Sequence, residues 1–161
     1  MAYRVAPVVV QLAILALWLG AAVFMSAAVA PALFAVLPTR TLAGEVVGRL
    51  LPTVFYSGMV VGVLVVAIDV WVAGTWRWST VTISSLLIAV SCAIAQWIVF
   101  PRIDRVRAQI PGPIESLPLD DARRVAFGRL HGISVGWLGL AMLAAAVCFV
   151  ACAKLVDTRG R

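Results

Sequence analysis

Four stretches of this chain run for eighteen residues or more without a charged side chain: 5–39, 51–68, 80–100 and 132–153. A helix needs roughly 20 apolar residues to cross a hydrocarbon core of about 30 Å. In lipid every backbone N–H and C=O must be satisfied internally, which leaves helices as the simple solution for a chain of this pattern. The expected fold is therefore all-α, an integral membrane four-helix bundle forming one membrane domain over 1–161. The predicted spans are about 8–30, 51–73, 80–100 and 133–153. Pro31 is expected to stop the first, Pro101 the third and Lys154 the fourth. Hydrophobic residues make up 63% of the chain and charged residues 12%, against roughly 45–50% and about 25% in a soluble domain. So little charge cannot cover a water-exposed globule, and this excludes a soluble enzyme, a disordered tail and a secreted disulfide scaffold. Arg4, the first apolar run and Ala28-Val-Ala30 also allow a cleaved signal peptide. That run exceeds a signal's 7–15-residue apolar region, and Pro31 would follow the cut, so a retained helix is the reading adopted.

The connectors are unequal. Residues 41–51 place Leu42, Val46, Val47, Leu50 and Leu51 on one face at helical spacing, with Thr41 as the expected N-cap and Glu45 near the first turn. This predicts an amphipathic interfacial helix between spans 1 and 2. The polar loop 102–131 starts with Arg102-Ile-Asp-Arg-Val-Arg107, breaks at Pro111-Gly-Pro113 and restarts after Asp120, a good N-cap, to run without interruption into span 4.

The basic excess is 13 against 7 acids, a net charge of +6. With the charges confined to short loops, the expected partners are anionic lipid headgroups, with no role for nucleic acid. Arg40, Arg49, Arg102, Arg105, Arg107, Arg123, Arg124 and Arg129 fall on the side of loops 1–2 and 3–4. Arg4, Arg77, Lys154, Arg159 and Arg161 fall on the side of the termini. Eight against five puts the loops in the cytoplasm and the termini outside. The Ala/Val/Arg-rich, Asn-free composition points to a bacterial inner membrane. Trp71, Trp76 and Trp78 on the terminus side, and Tyr56 and Trp97 toward the other, have the placement of an aromatic belt. Gly44–Gly48, Gly58–Gly62 and Gly132–Gly136 are GxxxG pairs of the kind that bring membrane helices close; which of them serve a homo-oligomer is open at this level. Pro31 and Pro101 end alternate spans, and Gly48-Arg-Leu50 and Gly128-Arg-Leu130 precede the other two, a parallel that would suit two related hairpins.

The chemical inventory is thin. There is one histidine, and no metalloprotease, CxxC, nucleophile-elbow or nucleotide-binding motif. No catalytic residue, cofactor or metal is expected. His131 sits at the mouth of span 4 and reads as an interfacial residue bonded to backbone or to a neighbour such as Gln96. Asp69 is the acid inside a span; its nearness to the terminus-side face predicts an interfacial ion pair with Lys154 or Arg77, the alternative being a proton or cation site. Cys148 and Cys152 share a helix face, and with a methionine such as Met142 or Met59 they have soft-metal chemistry. Cys92 lies roughly 10 Å deeper by helix rise, so the cysteines read as small packing residues.

The order of several short pieces carries a resemblance: Trp18-Leu-Gly20 with Phe24, Val29-Ala-Pro31-Ala-Leu-Phe34, Ala43-Gly44, Gly48-Arg-Leu-Leu-Pro52, Tyr56, Pro101-Arg-Ile103, Phe127 and Leu130-His-Gly132 with Ser134. Over about 15–140 the chain resembles the four-helix integral membrane family called transmembrane-protein-205-like, or domain of unknown function 4149. Gly136-Trp137 stands where that family carries an Asn. The resemblance implies a multi-pass membrane protein with no established enzymatic activity. The resembling polar residues Arg40, Arg49, Tyr56, Arg102 and His131 should converge at the face of loops 1–2 and 3–4, the expected site if there is one. The expected role is a non-catalytic membrane scaffold or interaction protein. The alternative is a transporter or channel subunit for a small solute or soft metal ion.

Overall fold

The computed structural model describes the backbone of residues 2–160 and the side chains of 6–156. Arg4, Arg159 and Arg161 of the terminus-side charge set lie outside the described side chains. The elements are α1 (Ala2–Phe24), a π-helical turn (Met25–Val29), α2 (Ala30–Val36), α3 (Arg40–Ala73), α4 (Thr80–Ala93), a second π-helical stretch (Ile94–Val99), α5 (Phe100–Ala108), a 3₁₀ turn (Ile114–Ser116) and α6 (Ala122–Gly160). Together they form four helices long and apolar enough to cross a membrane: Ala6–Val36, Arg40–Ala73, Thr80–Ala108 and Ala122–Val156. Only 28–44% of the most apolar window of each is buried inside the bundle. Leu17, Leu143 and Val150 face outward, an arrangement that water would oppose and lipid tails accept.

α1 packs on α3 and α6, and α4 packs on the same two helices, so the chain closes into a ring of four. Leu15, Trp18, Phe55, Val65, Ile88, Ala141 and Ala145 fill its centre. At Gly58 and Gly62 α3 and α4 touch most closely. A Cβ at Gly58 would stand 2.6 Å from Cys92 Sγ and 2.7 Å from Trp18 Cζ2; one at Gly62 would stand 2.6 Å from the Ser85 carbonyl. Around Gly44, Gly48, Gly132 and Gly136 nothing lies within 4 Å of such an atom. Of the three GxxxG pairs, one therefore holds this bundle together.

The prolines do not end their helices. Ala30 N–H bonds the Met25 carbonyl and Phe100 N–H the Ala95 carbonyl, one residue further back than α-helical bonding. Each wide turn sits just before a proline that has no N–H and whose ring crowds the previous turn, so the chain absorbs Pro31 and Pro101 and continues to Val36 and Ala108. The same device in the first and third spans mirrors the parallel between their sequences.

The segment expected to lie flat as a separate interfacial helix is instead the first part of α3. Pro52 removes only the bond to the Gly48 carbonyl, and the helix passes through it. At 1.5 Å per residue α3 is about 51 Å long, so its first turns, with Arg40 and Arg49, project beyond a hydrocarbon core of about 30 Å. Its N-cap is Thr39, not Thr41: Pro38 keeps Leu37 extended, and Thr39 Oγ1 accepts from Leu42 N at 3.1 Å. α6 is likewise capped one residue later than expected, by Asp121, whose Oδ1 accepts from Arg123 N at 2.8 Å. The run from this cap into span 4 is unbroken. Gly74, in the left-handed region at φ 68, ends α3.

Candidate functional site

Two depressions open at opposite ends of the bundle. At the terminus end a hollow of about 670 Å³ is bordered by Asp69, Arg77, Ser79, Thr80 and Lys154 among others. Asp69 Oδ2 accepts from Thr82 Oγ1 at 2.7 Å and Ser79 Oγ at 3.0 Å. Ser79 is also the N-cap of α4, accepting from Thr82 N at 3.1 Å. The carboxylate of α3 thus clasps the first turn of α4 across the Gly74 bend, while Arg77 and Lys154 border the same hollow. Behind it Gln11 and Ser85, which carry no sequence pattern, join Cys148 and Cys152 in a buried polar set. Gln11 Nε2 donates to the Val65 carbonyl at 3.1 Å, and Ser85 Oγ lies 3.3 Å from Cys148 Sγ. Cys152 Sγ stands 4.0 Å from Gln11 Oε1. Cys92, Cys148 and Cys152 are free and buried, and among the described residues no group of three or more His, Cys, Asp or Glu side chains is placed to hold a metal.

The opposite end carries a groove of about 550 Å³, within the range of small-molecule sites. Its parts come from the ends of several elements: Phe34 of α2, the first turns of α3, Phe100, Ile103 and Arg107 of α5, and Phe127, Gly128, His131 and Ser134 of α6. The long loop is fastened over it by Thr41. The Thr41 hydroxyl donates to Glu115 Oε2 at 2.6 Å and accepts from Ile114 N at 3.0 Å. This hydroxyl holds the Glu115 carboxyl below the usual carboxylate range. Arg107 pairs with Glu45, joining α5 to α3, and Arg124 donates to the Leu117 carbonyl.

Arg40, Arg49 and His131 border this groove, whereas Arg102 and Tyr56 are exposed elsewhere. His131 is exposed and stacked on Phe127 with ring centroids 6.3 Å apart; Gln96, suggested as its partner, is buried, and its Oε1 has no hydrogen-bond partner among the described residues. Arg40 and Arg49 make no ion pair and no side-chain hydrogen bond among the described residues. Ser134 escaped the sequence reading as a site residue, although it stands one turn in from His131. It is 4% exposed, borders the groove and makes no hydrogen bond among the described residues. The groove therefore offers two guanidinium groups without ion partners among the described residues, an imidazole and a hydroxyl, together with the carboxylates of Asp104 and Glu115, beside phenyl and aliphatic walls.

A family model described as "Domain of unknown function (DUF4149)" matches residues 13–111. Arg40, Arg49, Tyr56 and Arg102 fall inside the matched stretch, and His131 and Ser134 lie beyond it. No curated protein and no solved structure matches the chain.

Proposed function

The chain belongs to the DUF4149 family, and from that footing we propose that it is a non-catalytic membrane protein that works by holding an amphiphilic membrane ligand in its loop-face groove. The observation carrying this reading is the composition of the groove. Arg40 and Arg49 are without ion partners among the described residues, and they stand beside Phe34, Leu51, Phe100 and Phe127 in one hollow at an end of a membrane-spanning bundle. Cations next to apolar walls suit a molecule with an anionic head and a hydrocarbon tail. The absence from the groove of a nucleophile–base pair or paired acid and base at bonding distance, among the described residues, leaves binding as the favoured role. The close-packed centre between the two hollows supports a holding role over a conducting one. The arginine excess at this end supports placing it in the cytoplasm of a bacterial inner membrane, with the termini outside.

The test is native mass spectrometry of the full chain released from its membrane, wild type against Gly48→Leu. Gly48 borders the groove, and a side chain there meets no protein atom at its root, so leucine fills the hollow without disturbing the bundle. A retained amphiphile in the wild type, lost in the folded variant, is the expected result. Equal retention by both would overturn the reading.

A further inference from the structure

Among the described residues, every one bordering the groove belongs to α2, α3, α5 or α6 except Ile114 and Glu115, which come from the loop between α5 and α6. Both ends of that loop are fastened to one side chain. Arg123 donates to the Gln109 carbonyl at 3.2 Å and to Asp121 Oδ2 at 2.8 Å, which gives the loop the closed ends of an Ω-loop. Ile110 is buried, whereas from 111 to 120 only Ile114 and Leu117 are even partly so. The middle of the loop is held to the bundle by side-chain bonds. The Thr41 hydroxyl donates to Glu115 Oε2 at 2.6 Å and accepts from Ile114 N at 3.0 Å, and Arg124 donates to the Leu117 carbonyl.

We propose that residues 111–120 form a lid over the loop-face groove, hinged at the Arg123 staple and latched by Thr41, and that the ligand enters and leaves when Thr41 releases Ile114 and Glu115. This rests on the groove being an amphiphile site, as proposed above, and adds the route of entry. A wall made of packed helices opens only if the bundle repacks. Lifting the loop breaks a few hydrogen bonds, and a segment with so little buried apolar surface lies at the low end of local stability. Pro111 and Pro113 fix the backbone on either side of Gly112, which stands in the left-handed region at φ 103. The bend is therefore stiff, and the loop moves about its staple as one piece. Thr41 lies in the first turn of α3, where the positive end of the helix favours the Glu115 carboxylate. Each bond of such a latch is worth little net of water, so the lid closes without being locked.

The experiment places the full chain in phosphatidylcholine nanodiscs, loads it with deuterated oleate as the probe amphiphile and chases with ordinary oleate. Native mass spectrometry follows the exchange. Thr41→Val keeps the shape of the side chain and removes both bonds, and it should speed exchange by roughly three- to tenfold. Glu115→Ala should act in the same direction by less. The two together should match Thr41→Val alone, because the valine has already removed the bond to Glu115. In a variant lacking the native cysteines, Thr41→Cys and Glu115→Cys joined by a short bis-methanethiosulfonate linker should nearly stop exchange, and reduction should restore it. Exchange at the wild-type rate in Thr41→Val, or unchanged by the linker, overturns the lid and leaves the amphiphile site standing, with entry from the bilayer between helices. Oleate that fails to bind the wild type saturably, or that binds Gly48→Leu equally well, overturns the groove reading and the lid together.

Discussion

A methyl group added at Gly62 would stand 2.6 Å from the Ser85 carbonyl oxygen and 2.9 Å from Ala89 Cβ. A backbone atom cannot swing aside, so Gly62→Ala must push α3 away from α4. The expected loss is about 1–3 kcal/mol, read as a lower thermal midpoint in detergent. Gly132→Ala and Gly136→Ala meet no such obstacle and should be neutral or raise stability by about 0.5–1 kcal/mol through helix propensity. All six residues of the three GxxxG pairs look alike in the sequence. Their difference lies in which helix face each presents to a neighbour, and local spacing does not contain that. Gln11 passed unremarked, and Ser134 was noted only within the family resemblance, for a related reason: a single polar residue in an apolar run has no pattern, and its partner or its exposure is decided by another helix.

Among the elements, the start of α6 responds to acid in a defined direction. The side chain and backbone of Arg123 hold the Asp121 carboxyl down at about 2, against an ordinary value of 3.8. The folded form thus prefers the charged carboxylate. The stability this cap contributes is complete above the ordinary value and is lost as pH falls through about 2. Protection of the Arg123 and Val125 amides, measured against their intrinsic exchange rates, should therefore hold at pH 5 and fall between pH 4 and pH 2. Asp121→Ala should fray the same turn at neutral pH and remove the acid dependence. The caps were legible in kind but displaced by one or two residues, Asp121 for Asp120 and Thr39 for Thr41. Nearby side chains of the same type satisfy a cap rule equally, and at α3 the choice follows from the preceding chain being held extended through Leu37 and Thr39. Thr41, released from capping, ties down the loop over the groove.

For the whole molecule, the arrangement of cations is what connects fold to role. On the proposed orientation, with the arginine-rich loops facing the cytoplasm, a cysteine introduced as Leu119→Cys on the exposed loop, in a variant lacking the three native cysteines, should react with a membrane-impermeant maleimide only after the cell is opened. Labelling in intact cells would reverse the orientation. The solvent, the helical class and the number of crossings follow from the sequence alone, because long charge-free runs force the backbone to bond to itself wherever they cross lipid. Arg40, Arg49 and His131 could be assigned to one end on the same ground, since counting helical rise locates a residue in depth. Depth, however, says nothing about rotation or neighbours. Whether a proline stops a helix or is taken up by a π turn, which glycines touch, and whether an arginine is paired as Arg107 is or left uncommitted as Arg49 is, depend on helices distant in the chain. Those questions were settled only when four helices packed together, because close packing is a property of facing surfaces and no single helix carries both.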